Sequence, residues 1–180
     1  MQRFMGKVVL VTGAGSGIGK ASALRLAAEG GSIFCVDLNR EAVESAAAEI
    51  TAEGGVATPW VCDVGNEASV QEAVGACIEG YGSLYGVVNM AGILRFDDTE
   101  ELQTDDWQKV IDINLTGTMF LCRAALPHLV ETKGSIVNAA STAALSGLPC
   151  GLAYSASKGG VLAMTRSIAV EYAKRGVRAN

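Results

Sequence analysis

The stretch Val8-Val9-Leu10-Val11-Thr12-Gly13-Ala14-Gly15-Ser16-Gly17-Ile18-Gly19 decides the fold. An aliphatic, β-branched run reads as a buried strand, and the glycine-rich turn after it opens directly into helix-forming sequence. Glycines in such a turn take positive φ and let the backbone approach a pyrophosphate closely, while the emerging helix offers unpaired N–H groups and the positive end of its dipole. A glycine turn in isolation could be a tight loop. With a strand before it, a helix after it and Asp37 ending the next strand, the turn reads as a phosphate cradle.

Outward from that turn, β-branched runs alternate with helical stretches. Strands are predicted over 8–11, 32–36, 57–61, 86–89 and 135–138, and helices over 18–29, 40–53, 67–79, 105–129 and 154–175. Repeated β–α–β units require right-handed crossovers, so the predicted fold is α/β, a Rossmann-like doubly wound parallel sheet with helices on both faces. Nothing within residues 1–180 reads as a linker or repeat, and the chain is expected to form a single domain. The composition agrees: 49% hydrophobic, 22 glycines and only 6% aromatic, so that small and aliphatic side chains pack a sheet buried on both faces.

A net charge of −5, with no Lys/Arg cluster, argues against nucleic acid or an anionic membrane as partner and for a small molecule. The five cysteines are odd in number and form no C-x-x-C, and His128 has no second imidazole, so no metal site is expected and the thiols read as reduced, in a cytoplasmic protein. Cys35 and Cys62 read as packing residues, and Cys150, close to the 154–175 helix, as a pocket wall. No leader or membrane-spanning run is read from the sequence.

Asp37 can accept hydrogen bonds from adenosine ribose hydroxyls, or alternatively cap the following helix. Its carboxylate would oppose a 2′-phosphate by up to about 4 kcal/mol for unit charges 4 Å apart at an effective dielectric of 20. NAD is therefore expected over NADP. Farther along, Tyr154 and Lys158 stand four apart on one helix face, thirteen residues after Ser141. A nearby cation favours the ionised form of a phenol, which makes the pair a candidate proton donor and acceptor.

With these motifs in order, the chain resembles the short-chain dehydrogenase/reductase family over essentially its whole length. Thr12, Gly13, Gly17 and Gly19 match the family's T-G-x-x-x-G-x-G turn, Asp63-Val64 its adenine-contacting pair, and Asn89-Met90-Ala91-Gly92 its N-N-A-G segment, with Met90 a departure. Asn114, Ser141, Tyr154 and Lys158 match its catalytic tetrad. From the residues alone, Asn114 could be a helix-surface polar group, Ser141 a strand-end turn and Asp63 a loop cap.

The resemblance implies NAD-linked interconversion of a secondary alcohol and a ketone. Ser141 would hold the substrate oxygen, Tyr154 would exchange its proton, Lys158 would ease ionisation of that phenol and bind the nicotinamide ribose, and Asn114 would place a relay water. The cofactor would contact Gly13, Ser16, Gly17, Ile18, Gly19, Asp37, Asp63, Val64, Asn89, Ala91 and Gly92, with Tyr154 and Lys158. Leu94, Ala143, Ala144, Leu145, Leu148 and Cys150 would form a mostly apolar substrate wall.

The sequence stops at Val177-Arg178-Ala179-Asn180, where family members begin a sixth strand. It is expected to be C-terminally incomplete, with a dinucleotide-binding module lacking turnover as the alternative. The stripe Ala153, Ala156, Gly160, Ala163 and Ser167 allows close helix approach, and the resemblance implies a homotetramer.

Overall fold

In the computed structural model, which describes residues 2–180, β1 (Val8–Thr12) is buried along its whole length. It pairs in parallel with β2 (Ser32–Asp37) on one side and β4 (Gly86–Asn89) on the other. β3 (Val56–Val61) adds beyond β2, and β5 (Ser135–Asn138) and β6 (Arg178–Ala179) add beyond β4, giving the order β3-β2-β1-β4-β5-β6. The order reverses between β1 and β4, which opens a crevice at the carboxyl ends of these strands.

The pleat divides the core in two. Val9 and Val11 of β1, with Ile33 and Cys35 of β2, face α1 (Gly17–Ala28) and α2 (Arg40–Ala52) through Ala23, Ala27, Val43 and Ile50. Val8, Leu10, Phe34 and Val36 face the opposite way. They meet α3 (Glu67–Tyr81), α5 (Gly117–Thr132) and α7 (Leu152–Tyr172) through Val70, Val74, Leu121, Leu129 and Ile168. Local signals set the helix ends: the Asn39 and Asn66 side chains accept from Ala42 N and Ser69 N, both at 3.1 Å, and Gly82 ends α3 at φ 74°. β3 tolerates Pro59 because it is the outer strand, with β2 on one side only.

The helix predicted over 105–129 is divided. α4 (Thr104–Ile111) runs into a π-helical turn at Asp112–Thr116 before α5 begins. A tertiary and a local contact accompany the turn: Gly117 passes so close to Val64 that a Cβ there would lie 2.6 Å from its carbonyl oxygen, and within the helix the Thr118 hydroxyl donates back to Asn114 O at 2.7 Å. The sheet also continues past 135–138, since Arg178–Ala179 pairs with β5. β3 starts at Val56, α7 starts at Leu152 and tightens into a 3-10 turn at Ala173–Arg175, and a short helix α6 (Ala143–Ser146) joins β5 to α7.

No described helix is long and apolar enough to cross a membrane, and no group of three or more His, Cys, Asp or Glu among the described residues could hold a metal. The five cysteines are free, and burial pushes the Cys35 and Cys77 thiols up to about 12.

Candidate active site

A cleft of about 510 Å³ lies at the carboxyl ends of β1, β2 and β4. Its floor is backbone. The Thr12 hydroxyl accepts from Met90 N and Ala91 N, both at 3.1 Å, locking the end of β1 to the end of β4. Gly13, at φ 65°, lies where a Cβ would sit 3.0 Å from Ala91 N, and a Cβ on Gly19 would fall 2.0 Å from Gly13 O, so α1 can start here only with glycine. Gly17 has φ 52° and open space beside it. Ser16, the N-cap residue of α1, leaves its hydroxyl out of any cap bond, so the first N–H groups of the helix face the cleft.

Asp37 accepts from Gly15 N at 2.9 Å and from Asn39 N at 3.0 Å. The cap of α2 belongs to Asn39, so Asp37 stands in the cleft wall as an anchored carboxylate. Ile18 and Leu38 line the same end with 75% and 68% of their surfaces exposed, an apolar pair open to a flat ligand. Asp63 and Val64 also line it. Asp63 is in addition a loop cap, accepting from Gly65 N at 2.9 Å.

At the opposite end, α7 presents Tyr154 and Lys158 to the cleft. Lys158 is 5% exposed; its ammonium donates to Ala139 O at 2.7 Å and lies 5.8 Å from the centre of the Tyr154 ring. Burial lowers its pKa below the usual lysine value. Asn114 is fully buried behind the pair and is not a helix-surface residue. Its Oδ1 accepts from Ile93 N at 2.7 Å, and its Nδ2 donates to Ile93 O at 2.9 Å and to Ser157 Oγ at 3.1 Å.

The remaining expected residues fall differently. Ser141 does not itself line the cleft, although Ala139 and Ala140 just before it do; it is half-buried, its Oγ accepting from Ala143 N at 3.1 Å. Ala91 and Gly92 line the cleft, whereas the Asn89 side chain lies in a polar cluster behind it. Asn89 Nδ2 donates to Asn138 Oδ1 at 2.7 Å, Asn138 Nδ2 donates to Thr165 Oγ1 at 2.9 Å, and Asn89 Oδ1 is buried without a partner.

Cys150 is not a pocket wall: it is exposed and its thiol donates to Asp98 at 3.1 Å, because the turn at φ 56° carries it away from the cleft. Cys62 lines the cleft instead. Of the expected apolar wall, Leu94 lines the cleft, Leu145 is 76% exposed and Ala143 is buried. Sequence reading missed the parts played by Ile93, Gly117, Ala139 and Ser157. A glycine inside a helical run, as at Gly117, is the one local sign that could have drawn attention to any of them.

An anchored carboxylate and a glycine cradle at one end of a cleft, with a phenol and a buried ammonium at the other, define a Rossmann-type dinucleotide-binding protein. A family model described as short chain dehydrogenase matches residues 7–180, and the chain belongs to that family of oxidoreductases. It is 44% identical over 179 residues to D-threitol dehydrogenase of Mycolicibacterium smegmatis, covering 99% of this chain and 69% of that one. It is 41% identical over 181 residues to 3beta-hydroxysteroid dehydrogenase of Mediterraneibacter gnavus, covering 100% of this chain and 66% of the relative. Among solved structures, NAD+-bound xylitol dehydrogenase superposes with a TM-score of 0.96 at 39% identity, over 99% of this chain and 69% of that one.

Proposed function

We propose that this protein interconverts an uncharged secondary alcohol and its ketone with NAD, residues 1–180 forming one dinucleotide-binding and catalytic domain. The observation that carries this reading is Lys158, held on Ala139 O beside Tyr154 and facing the same cleft as the glycine cradle and Asp37. Bound NAD would supply the hydride acceptor, and its reduced form the donor.

Gly13, Ser16, Gly17, Ile18 and Gly19 would hold the pyrophosphate, Asp37 the adenosine ribose, and Asp63 with Val64 the adenine. Ala91 and Gly92 would border the nicotinamide half. Asn89 supports that strand end through its carbonyl, which accepts from Ala139 N at 3.0 Å. The glycines supply the close backbone approach a dinucleotide needs, which supports the fit. Asp37, with Leu38 and not a cation beside it, favours NAD over NADP.

Tyr154 takes the hydroxyl proton during oxidation and returns it during reduction. Ser141 accepts from Ala143 N, which leaves its own O–H free to donate to the substrate oxygen. Both hydrogens of the Asn114 Nδ2 are engaged, and Oδ1 and the backbone O each accept one bond, so Asn114 would take part in a proton relay beside Lys158 only by accepting from a water on a remaining oxygen lone pair. Ile93, Leu94, Ala139 and Ala140 give this end a mostly apolar lining, which suits an uncharged substrate, as do the alcohols named for the relatives. The reduced thiols suit the cytoplasm. Of the stripe on α7, Ala156, Ala163 and Ser167 are exposed, a face suited to pairing copies of the chain in a homotetramer, whereas Ala153 is buried and Gly160 packs against Leu115 of the same chain.

Tyr154→Phe tests the reading: it deletes the proton-transferring hydroxyl and leaves the cradle intact, so turnover of a substrate found for the parent should vanish while NADH still binds. Near-normal kcat in this variant would remove Tyr154 from the reaction.

A further inference from the structure

Ser157 lies between the two residues that carry the proposed chemistry, three after Tyr154 and one before Lys158, and it is fully buried. A serine inside a helix ordinarily satisfies itself by donating to a carbonyl of the preceding turn, and Ser157 does so with Tyr154 O at 2.8 Å. That local bond leaves the hydroxyl oxygen free to accept. Here it accepts from Asn114 Nδ2 at 3.1 Å, from a different element of the fold. Ser155 shows that α7 does not demand such bonds: its hydroxyl is also buried and has no partner.

The second bond completes a bridge. Asn114 grips both backbone groups of Ile93, so the Ser157 hydroxyl joins the backbone of Tyr154 to the segment that follows β4. Gly92, next in that segment, faces the Lys158 ammonium at 3.6 Å from the position of a Cβ, and both border the cleft. The first turn of α7 and the Gly92–Ile93 backbone are thereby held as one unit across the half of the cleft away from Asp37.

We propose that Ser157 is a positioning residue of the acid–base pair, holding Tyr154 and Lys158 in register with Gly92–Ile93 around the nicotinamide half of the cofactor. The proposal rests on the functional reading above. It predicts an effect confined to one half of the dinucleotide, because the residues that would hold adenosine and pyrophosphate lie in the glycine turn and the start of α1, at the end of β2 and in the Asp63–Val64 loop after β3, and none of them makes a hydrogen bond of the bridge.

The test compares NADH with ADP-ribose, which lacks the nicotinamide, on the full chain and on Ser157→Ala and Ser157→Thr, with melting followed in parallel. Ser157→Ala removes both bonds of the hydroxyl and should weaken NADH about fivefold, about 1 kcal/mol, as expected when part of that loss is felt at the nicotinamide half, and hold ADP-ribose within about twofold. Ser157→Thr keeps the Oγ and should hold both ligands near parent affinity. Equal weakening of both ligands in Ser157→Ala would mark a merely structural residue and overturn the proposal, as would no change in either. A Ser157→Thr loss as large as that of Ser157→Ala would refute the part assigned to the hydroxyl. A parent chain that binds ADP-ribose but not NADH would also overturn it. A parent that binds neither ligand would bring down the functional reading itself, and the proposal with it.

Discussion

Replacing Asn138 with leucine should cost stability, and replacing Asn89 at the same time should restore much of it. In the single variant, Asn89 Nδ2 loses its 2.7 Å partner and keeps only the Cys122 sulfur at 3.7 Å, while Asn89 Oδ1 already has none. An orphaned buried amide costs about 1–3 kcal/mol, and the broken bond from Asn138 to Thr165 adds to it. The added apolar contact of leucine offsets part, leaving a net loss of about 2 kcal/mol, or roughly 4–8 °C in Tm for a chain of this size.

The double variant Asn89→Leu/Asn138→Leu removes donor and acceptor together. The polar atom left behind is the Thr165 hydroxyl, which retains its 2.7 Å bond to Val161 O. Two buried partners exchanged for apolar groups of similar shape can be nearly neutral, so the double variant should melt above the Asn138→Leu single variant, with a coupling of about 2 kcal/mol. Calorimetry on the parent, both single variants and the double variant completes the cycle. Additive losses would refute the reasoning, because they would show that neither amide depends on the other.

Lys158→Met should raise Tm at pH 7 while abolishing the proposed chemistry. Burial holds the folded-state pKa of Lys158 below 10.5, so the unfolded chain binds more protons between the lowered value and 10.5. Stability attributable to Lys158 therefore rises with pH through that window, and the gain from Lys158→Met should shrink by pH 10; equal gains at both pH values, read by differential scanning calorimetry, would contradict this. Asp37→Ser should shift the ratio of NADPH to NADH affinity about tenfold towards NADPH by removing a charge opposite the 2′-phosphate. Fluorescence titration with both cofactors measures it, and an unchanged ratio would dismiss Asp37 as the discriminator.

β4 and β5 were legible to the residue because each is a short apolar run that Gly86 or Gly134 introduces and Asn89 or Asn138 ends. The cradle was legible because glycine spacing and flanking elements are local features. The break at Asp112–Thr116 was not, since it depends on Val64 and Ile93, far away in sequence, and helix periodicity carries no trace of such contacts. Nearness in sequence misled at Cys150, where one left-handed residue redirected the thiol to Asp98. Tyr154, Lys158 and Asp37 could be picked out as chemical groups, but which atoms Asn114 and Ser141 leave free became visible only with their backbone partners in place.

The central position of β1 also bears on the order in which the chain assembles. Val8 finds Ser32 in β2 after one helix, whereas Val9 must wait for Gly86 in β4, across a loop roughly three times longer that costs about 1 kcal/mol more to close. The β1–β2–β3 half, with α1 and α2, can therefore condense while β4 is still unattached, and the crevice does not exist until the two halves join. A dinucleotide can then act as a clamp on the finished seam and not as a template for the first half. Pulsed hydrogen exchange during refolding should show amides of β1 and β2 protected before those of β4 and β5, with NADH leaving the early phase unchanged; simultaneous protection would dismiss this order.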